Sequence, residues 1–322
     1  MNMGESTTVR LKRVTGKVTN EVEKFPHLAT VVFNEVMRTR VLTIGAAVAF
    51  FLLLSLVPLL IVASAMISAL PIPNLWEQLL ELMAMLVPPE AMVLVRSVLT
   101  SILTAHPARI LSIGILSYIW AAAGSFSAII EALNIAYDVD VEHARSWWRD
   151  KLQALLLTFT CGGLSVFSLM VLIAGPPFIH FLSYILPVPK VFAVVWPPIR
   201  YALLFTAFVT NVMLLYYFGP NRKITFRSAW PGAALAVGFW VVGSLGLGFY
   251  LGHFANYSAT YGSLGAIIVL MLWLYLISVS LLVGAELNAE LEKRALAGAV
   301  SVAAPARAAE RATISARTPG TA

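Results

Sequence analysis

Apolar residues in this chain come in long blocks rather than in alternation. Five runs contain no Asp, Glu, Lys or Arg: Val41 to Trp76, Ile110 to Ile130, Leu152 to Pro189, Tyr201 to Asn221 and Ser228 to Ala285. A bilayer core of about 30 Å takes roughly 20 residues of helix at 1.5 Å each. The last run holds two such lengths, and its polar stretch Asn256 to Ser263 divides them. The pattern therefore predicts an all-α polytopic membrane protein with six transmembrane helices, at about 43–70, 110–137, 153–180, 199–219, 231–254 and 264–289. A β-barrel would instead show short alternating segments.

The flanking segments read differently. Pro26 suits a helix start, and Leu28, Val31, Val32 and Val36 form one apolar face, which predicts an interfacial helix over 26–40. Between the first two spans, Leu75 to Leu86 and Ala91 to Ala105 have helical spacing and are separated by Pro88 and Pro89. This predicts an external helical hairpin within 71–109. Residues 1–25 read as a flexible basic tail, 26–293 as the membrane domain and 294–322 as a disordered tail. The first span is too long, and too far from the first residue, for a cleavable signal peptide.

Composition strengthens the membrane reading. The 322 residues are 59% hydrophobic and 12% charged, against about 25% charged in a soluble domain. Eighteen of the 22 Lys and Arg residues fall in 1–42, 138–152, 220–230 or after 289. By the positive-inside rule these segments are cytoplasmic, and with them both termini. The net charge of +6 is then a topology signal with some attraction to anionic headgroups; no nucleic-acid partner is expected. The single cysteine, Cys161, allows no disulfide within the chain and reads as a small buried hydrophobe. No phosphate-loop motif is present, so the chain is not expected to hydrolyse ATP.

Four blocks resemble the YihY/BrkB family of bacterial inner-membrane proteins, historically labelled ribonuclease BN. They are Leu42 to Ile61, Trp120 to Val139 with the following SWWRDKL, Phe218 to Ala233, and "YSATYGSLGAIIVLMLWLYLISVSLLVGAELNAELEK" from Tyr257 to Lys293. Phe51 stands where the family pattern has a tyrosine. The resemblance covers roughly residues 26–293. It implies a six-helix membrane fold and the export or transport of lipids or solutes.

Several residues are candidates for a site. Glu131 lies in the second span with Asn134 one turn on. A carboxylate at that depth is costly and usually faces the bundle interior or a cavity. It reads either as a proton, cation or headgroup site, or as a residue that snorkels or pairs with Arg145 or Arg149. Ser55 and Pro58 mark a kink in the first span that either flanks a path or serves packing. Asn211, mid-span in the fourth helix, reads as a cavity-lining group or an interhelical hydrogen bond. Gly248 and Gly252 form a small-xxx-small pair, predicting close helix contact within or between subunits. Tyr257, Ser258, Thr260, Tyr261 and Ser263 offer a headgroup site at a helix N-terminus or, more simply, a tight turn with interfacial tyrosines. Asp138, Asp140, Glu142 and His143 have metal-ligand types without a metal-ligand spacing, and fit an interfacial helix better. Glu286 and Glu290, one turn apart, suit a clasp to basic residues.

Together these features predict a transport or export component for a lipid, lipid-linked or other amphiphilic cargo, without its own ATPase. A membrane scaffold docking partner proteins is the alternative, and a ribonuclease ranks last because no catalytic constellation is present. No cofactor or metal is expected. Membrane lipids, a second copy of the chain and an envelope protein are the candidate partners.

Overall fold

A computed structural model describes residues 28–317 except 69–76, 78, 79, 82, 85, 86, 105, 106, 140–145, 147, 166, 167, 169–189, 223 and 255–262. The described residues are helical, with no strand among them. The helices are α1 (Leu28–Arg38), α2 (Val41–Ser68), α3 (Pro89–Thr104), α4 (Pro107–Ala136), α5 (148–165), α6 (Lys190–Phe218), α7 (Trp230–Phe254) and α8 (Ser263–Arg317). A 3-10 turn, Phe226–Ser228, leads into α7.

Every predicted span coincides with one of these helices over the residues described. Among the described residues three stretches are long and apolar enough to cross a membrane: Tyr201–Phe218, Phe226–His253 and Leu264–Ala295. A fourth is counted if α1 and the first part of α2 are taken as one broken span. The break falls at Arg40, whose φ of 54° is the left-handed conformation that ends a helix. α3 begins at Pro89, where the missing N–H costs nothing; much of the preceding half of the expected hairpin lies outside the described residues.

The chain divides into two compact units, Met1–Arg40 with Glu290–Ala322, and Val41–Ala289. In the larger unit, α2 packs along α4 and against α3, and α6 packs against α7. A shared core joins Ala49 of α2, Ala91 and Met92 of α3, Leu251 of α7 and Val269, Leu270 and Leu274 of α8. In the smaller unit, Glu35 of α1 pairs with Arg38 and, at 3.6 Å, with Lys293, while Glu290 pairs with Arg294 at 2.7 Å.

The last helix departs from expectation. It continues to Arg317 through residues whose composition suggests a disordered tail. That stretch is Ala-rich, and alanine has the highest intrinsic helix propensity. Being continuous with a stable span also removes the cost of nucleation.

Candidate functional site

The polar residues of the apolar helices do not converge on one site. Ser55 bonds within its own helix, and the others join different pairs of elements. Ser55 is buried and donates to Leu52 O of its own helix at 2.9 Å. Ser125 of α4 reaches across to Phe51 O of α2 at 2.8 Å. The side chain of Pro58 lies outside the described residues.

Asn134 belongs to the joint where α4 ends. There Val139 N bonds to Asn134 O at 2.9 Å and Asp138 N to Ile135 O at 3.1 Å. Asp138 has a φ of 48°. This is a Schellman cap with Asp138 at the left-handed position, which gives that acid a structural role. The Asn134 side chain turns outward from its helix, and its Oδ1 accepts the Asn221 N–H at 2.7 Å. Arg222 Nη1 donates to Tyr137 O at 3.3 Å. The loop after α6 is thus fastened to the end of α4.

A second joint holds the start of α7. The first N–H groups of a helix lack intrahelical acceptors. Asn288 of α8 supplies one: its Oδ1 accepts the Gly232 N–H at 2.7 Å, and its Nδ2 donates to Ala229 O at 2.9 Å. The backbones meet closely, because a Cβ at Gly232 would overlap Gly284 O, and one at Gly284 would lie 2.6 Å from the Tyr216 hydroxyl. Tyr216 itself is fully buried and donates to Leu281 O. Glu286, one turn before Glu290, is 2% exposed, so it sits in the packed interior. The sequence reading passed over Asn288, Gly232 and Gly284. The available signal was an asparagine, a poor helix-interior residue, set mid-helix between Glu286 and Glu290.

Asn211 bridges α6 to the α5 segment. Its Nδ2 donates to Cys161 O at 3.0 Å and to Ser165 Oγ at 2.6 Å. It also lines a cavity of about 60 Å³ with Ser165, Ser168, Leu204, Ala207 and Phe208.

Glu131 is different. Its side chain is exposed on α4 and makes no ion pair among the described residues; Arg145 lies outside them. Five residues separate it from the helix end at Ala136, roughly 8 Å along the axis at 1.5 Å per residue. Ser127 and Ile135, four residues to either side, share its stripe. Lys151 of the next helix donates to Ser127 Oγ at 3.1 Å. Exposed Trp120, Ile135, Trp148, Leu152 and Phe159 lie on the same two helices. An exposed acid thus lies one helical turn from a serine hydroxyl that a half-buried base of the next helix reaches.

Among the described residues, nothing lies within 4 Å of a Cβ built on Gly248 or Gly252, so no close contact at this pair is made there. Among the described residues the closely packed glycines are Gly45 against Val279, Gly219 against Leu133, Gly243 against Leu276, and the Gly232–Gly284 pair. Spacing alone does not distinguish the helix face that meets a neighbour from the one that does not. Tyr257, Ser258, Thr260 and Tyr261 lie outside the described residues, and Ser263 is the first residue of α8. Among the described residues no group of three or more His, Cys, Asp or Glu is placed to hold a metal.

An all-helical chain with several helices apolar enough to span a bilayer is an integral membrane protein. The family model described as "Virulence factor BrkB" matches residues 32–309, and the chain belongs to that family. It is 35% identical over 250 residues to "Putative ribonuclease-like protein YfkH" of Bacillus subtilis, covering 78% of this chain and 90% of that protein. It is 28% identical over 263 residues to "UPF0761 membrane protein PSHAa0171" of Pseudoalteromonas translucida, covering 77% and 80%. A UPF0761 membrane protein of Xanthomonas campestris is 45% identical over 76 residues, 24% of this chain and 18% of the relative. No solved structure matches significantly.

Proposed function

We propose that this protein is a multi-pass inner-membrane component for moving a lipid, lipid-linked or other amphiphilic cargo, with both termini cytoplasmic and without an ATPase of its own. Six spans cross the membrane in this reading. The helices α2, α4 and α5 lie on the three uncharged runs beyond those that meet the span criteria outright, which supports that number. The 71–109 segment is then an external hairpin.

One observation carries the reading of cargo. The polar side chains Ser55, Asn134, Asn211 and Asn288 are each engaged in a hydrogen bond within or between elements, whereas Glu131 is exposed at the outer surface of α4 without an ion pair among the described residues, one turn from the Ser127 hydroxyl that the half-buried Lys151 reaches. A strongly hydrated solute needs a polar route through the interior, because stripping its water is expensive. An amphiphile does not. Its headgroup can engage that carboxylate on the surface of the bundle while its tails remain in lipid. Trp148, at the start of α5, suits the headgroup layer.

The scaffold reading has its own support in the smaller unit, where α1 and the extension of α8 are held together by Glu35 and Lys293. The name of the Bacillus subtilis relative belongs to that protein. We propose that this chain is not a nuclease, since the acids nearest to a cluster, Asp138 to Glu142, begin with a helix cap. Reconstitution into liposomes, with lipid movement and small-solute movement assayed in parallel, tests the proposal. Movement of labelled lipid above protein-free vesicles supports it, and solute movement without lipid movement overturns it.

A further inference from the structure

The cavity between α5 and α6 has an unusual hydrogen-bonding balance. An asparagine side chain has two N–H donors and one carbonyl acceptor. Asn211 Nδ2 uses both donors, on Cys161 O at 3.0 Å and Ser165 Oγ at 2.6 Å. The Cys161 carbonyl can only accept, so the nitrogen must lie on that side. The Ser165 hydroxyl donates to Cys161 O at 2.8 Å, and the Ser168 hydroxyl to Leu164 O at 2.7 Å.

Among the described residues lining the cavity, every side-chain donor is therefore engaged. The other described lining residues, Leu204, Ala207 and Phe208, have no polar side-chain atoms. What remains is acceptor capacity. Asn211 Oδ1 takes no donor among the described residues, and Ser168 Oγ keeps its lone pairs. None of the described lining residues is charged, so a cation entering here would lose its hydration with no carboxylate among them to offset the loss. A guest that can only accept finds no donor. The volume of about 60 Å³ exceeds the roughly 10–15 Å³ one water requires, and it suits a hydroxymethyl end rather than a whole headgroup.

We propose that this cavity is a binding site for an uncharged O–H donor, received by Asn211 Oδ1 and Ser168 Oγ. The donor is a water or the hydroxyl end of an amphiphile entering from the bilayer; both present the same chemistry. The site does not depend on whether the chain moves a cargo.

The full chain in nanodiscs, titrated with 1-decanol or with decyl methyl ether, tests it. The ether has a similar chain and no O–H. The expected result is a saturable rise of about 2 °C or more in the unfolding midpoint with decanol, none with the ether, and loss of the decanol effect in Ser168→Leu. That substitution fills the cavity without removing the Asn211 bonds; Ala207→Leu fills it from α6 if Ser168→Leu does not fold. Water as the occupant is read by solid-state NMR, as magnetisation transfer from water to the Asn211 side-chain amide, assigned by its loss in Asn211→Leu. Such transfer without a decanol effect supports the site with water in it. If decanol and ether act alike, or if neither acts and no water transfer is seen, the proposal is overturned.

Discussion

Asn288 and Gly232 form a helix cap in trans. The asparagine lies inside α8, yet its Oδ1 receives the N–H of the third residue of α7 at 2.7 Å, and its Nδ2 returns a bond to Ala229 O at 2.9 Å. In water an uncapped helix start can hydrate. Inside packed protein it cannot, so the cap is supplied by a neighbour.

Asn288→Ala removes both bonds and leaves a buried N–H and C=O without these partners. The expected cost is roughly 1–3 kcal/mol, read as a lower unfolding midpoint of the purified protein. Asn288→Asp retains an acceptor for Gly232 but loses the donor to Ala229. Its midpoint is expected to be no higher than wild type.

Two glycine substitutions should separate packing from spacing. Gly232→Ala places a methyl group against the Gly284 carbonyl and should cost at least about 1–3 kcal/mol through overpacking, with a fall in folded yield. Gly248→Ala meets nothing within 4 Å among the described residues and gains helix propensity. Its stability as a monomer should match or exceed wild type. Loss of a dimer in Gly248→Ala, by light scattering in detergent, would show that this face meets a second copy.

These joints mark the limit of what the sequence discloses. The helices were legible because uncharged runs of span length admit few alternatives in a bilayer. Asn211 was legible as an interhelical hydrogen bond for the same reason. Its partners Cys161 and Ser165 were not, because which helices adjoin is a tertiary property. Glu131 was identified as a residue to watch, but not that it points outward, since that depends on which side of α4 meets α2. The helix beyond Lys293 was hidden by a composition shared by disordered chain and Ala-rich helix.

Topology offers an independent check. Single cysteines introduced into a Cys161→Ala background should label from outside at 71–109, 185–198 and 256–262. Those at 1–40, 140–150, 221–228 and 295–317 should label only after the membrane is opened. External labelling of 221–228 in intact cells is incompatible with six spans.

The ribonuclease name can be tested on purified protein. No metal-dependent cleavage of RNA above a contamination control is expected. Activity that co-purified with the folded chain and vanished in Asp140→Ala or Glu142→Ala would reverse this expectation.

Glu131 tests the central claim most directly. It is the acid exposed on α4, one turn from the Ser127 hydroxyl that Lys151 reaches. The measurement is transbilayer movement of labelled lipid in liposomes containing wild type, Glu131→Gln or Glu131→Leu, at matched protein density and with unfolding midpoints recorded. A headgroup contact predicts that both variants lose most of the lipid movement while their midpoints stay within about 2 °C of wild type, the range of a surface substitution. Full lipid movement in both variants would contradict the account. So would loss of movement that only follows loss of folded protein.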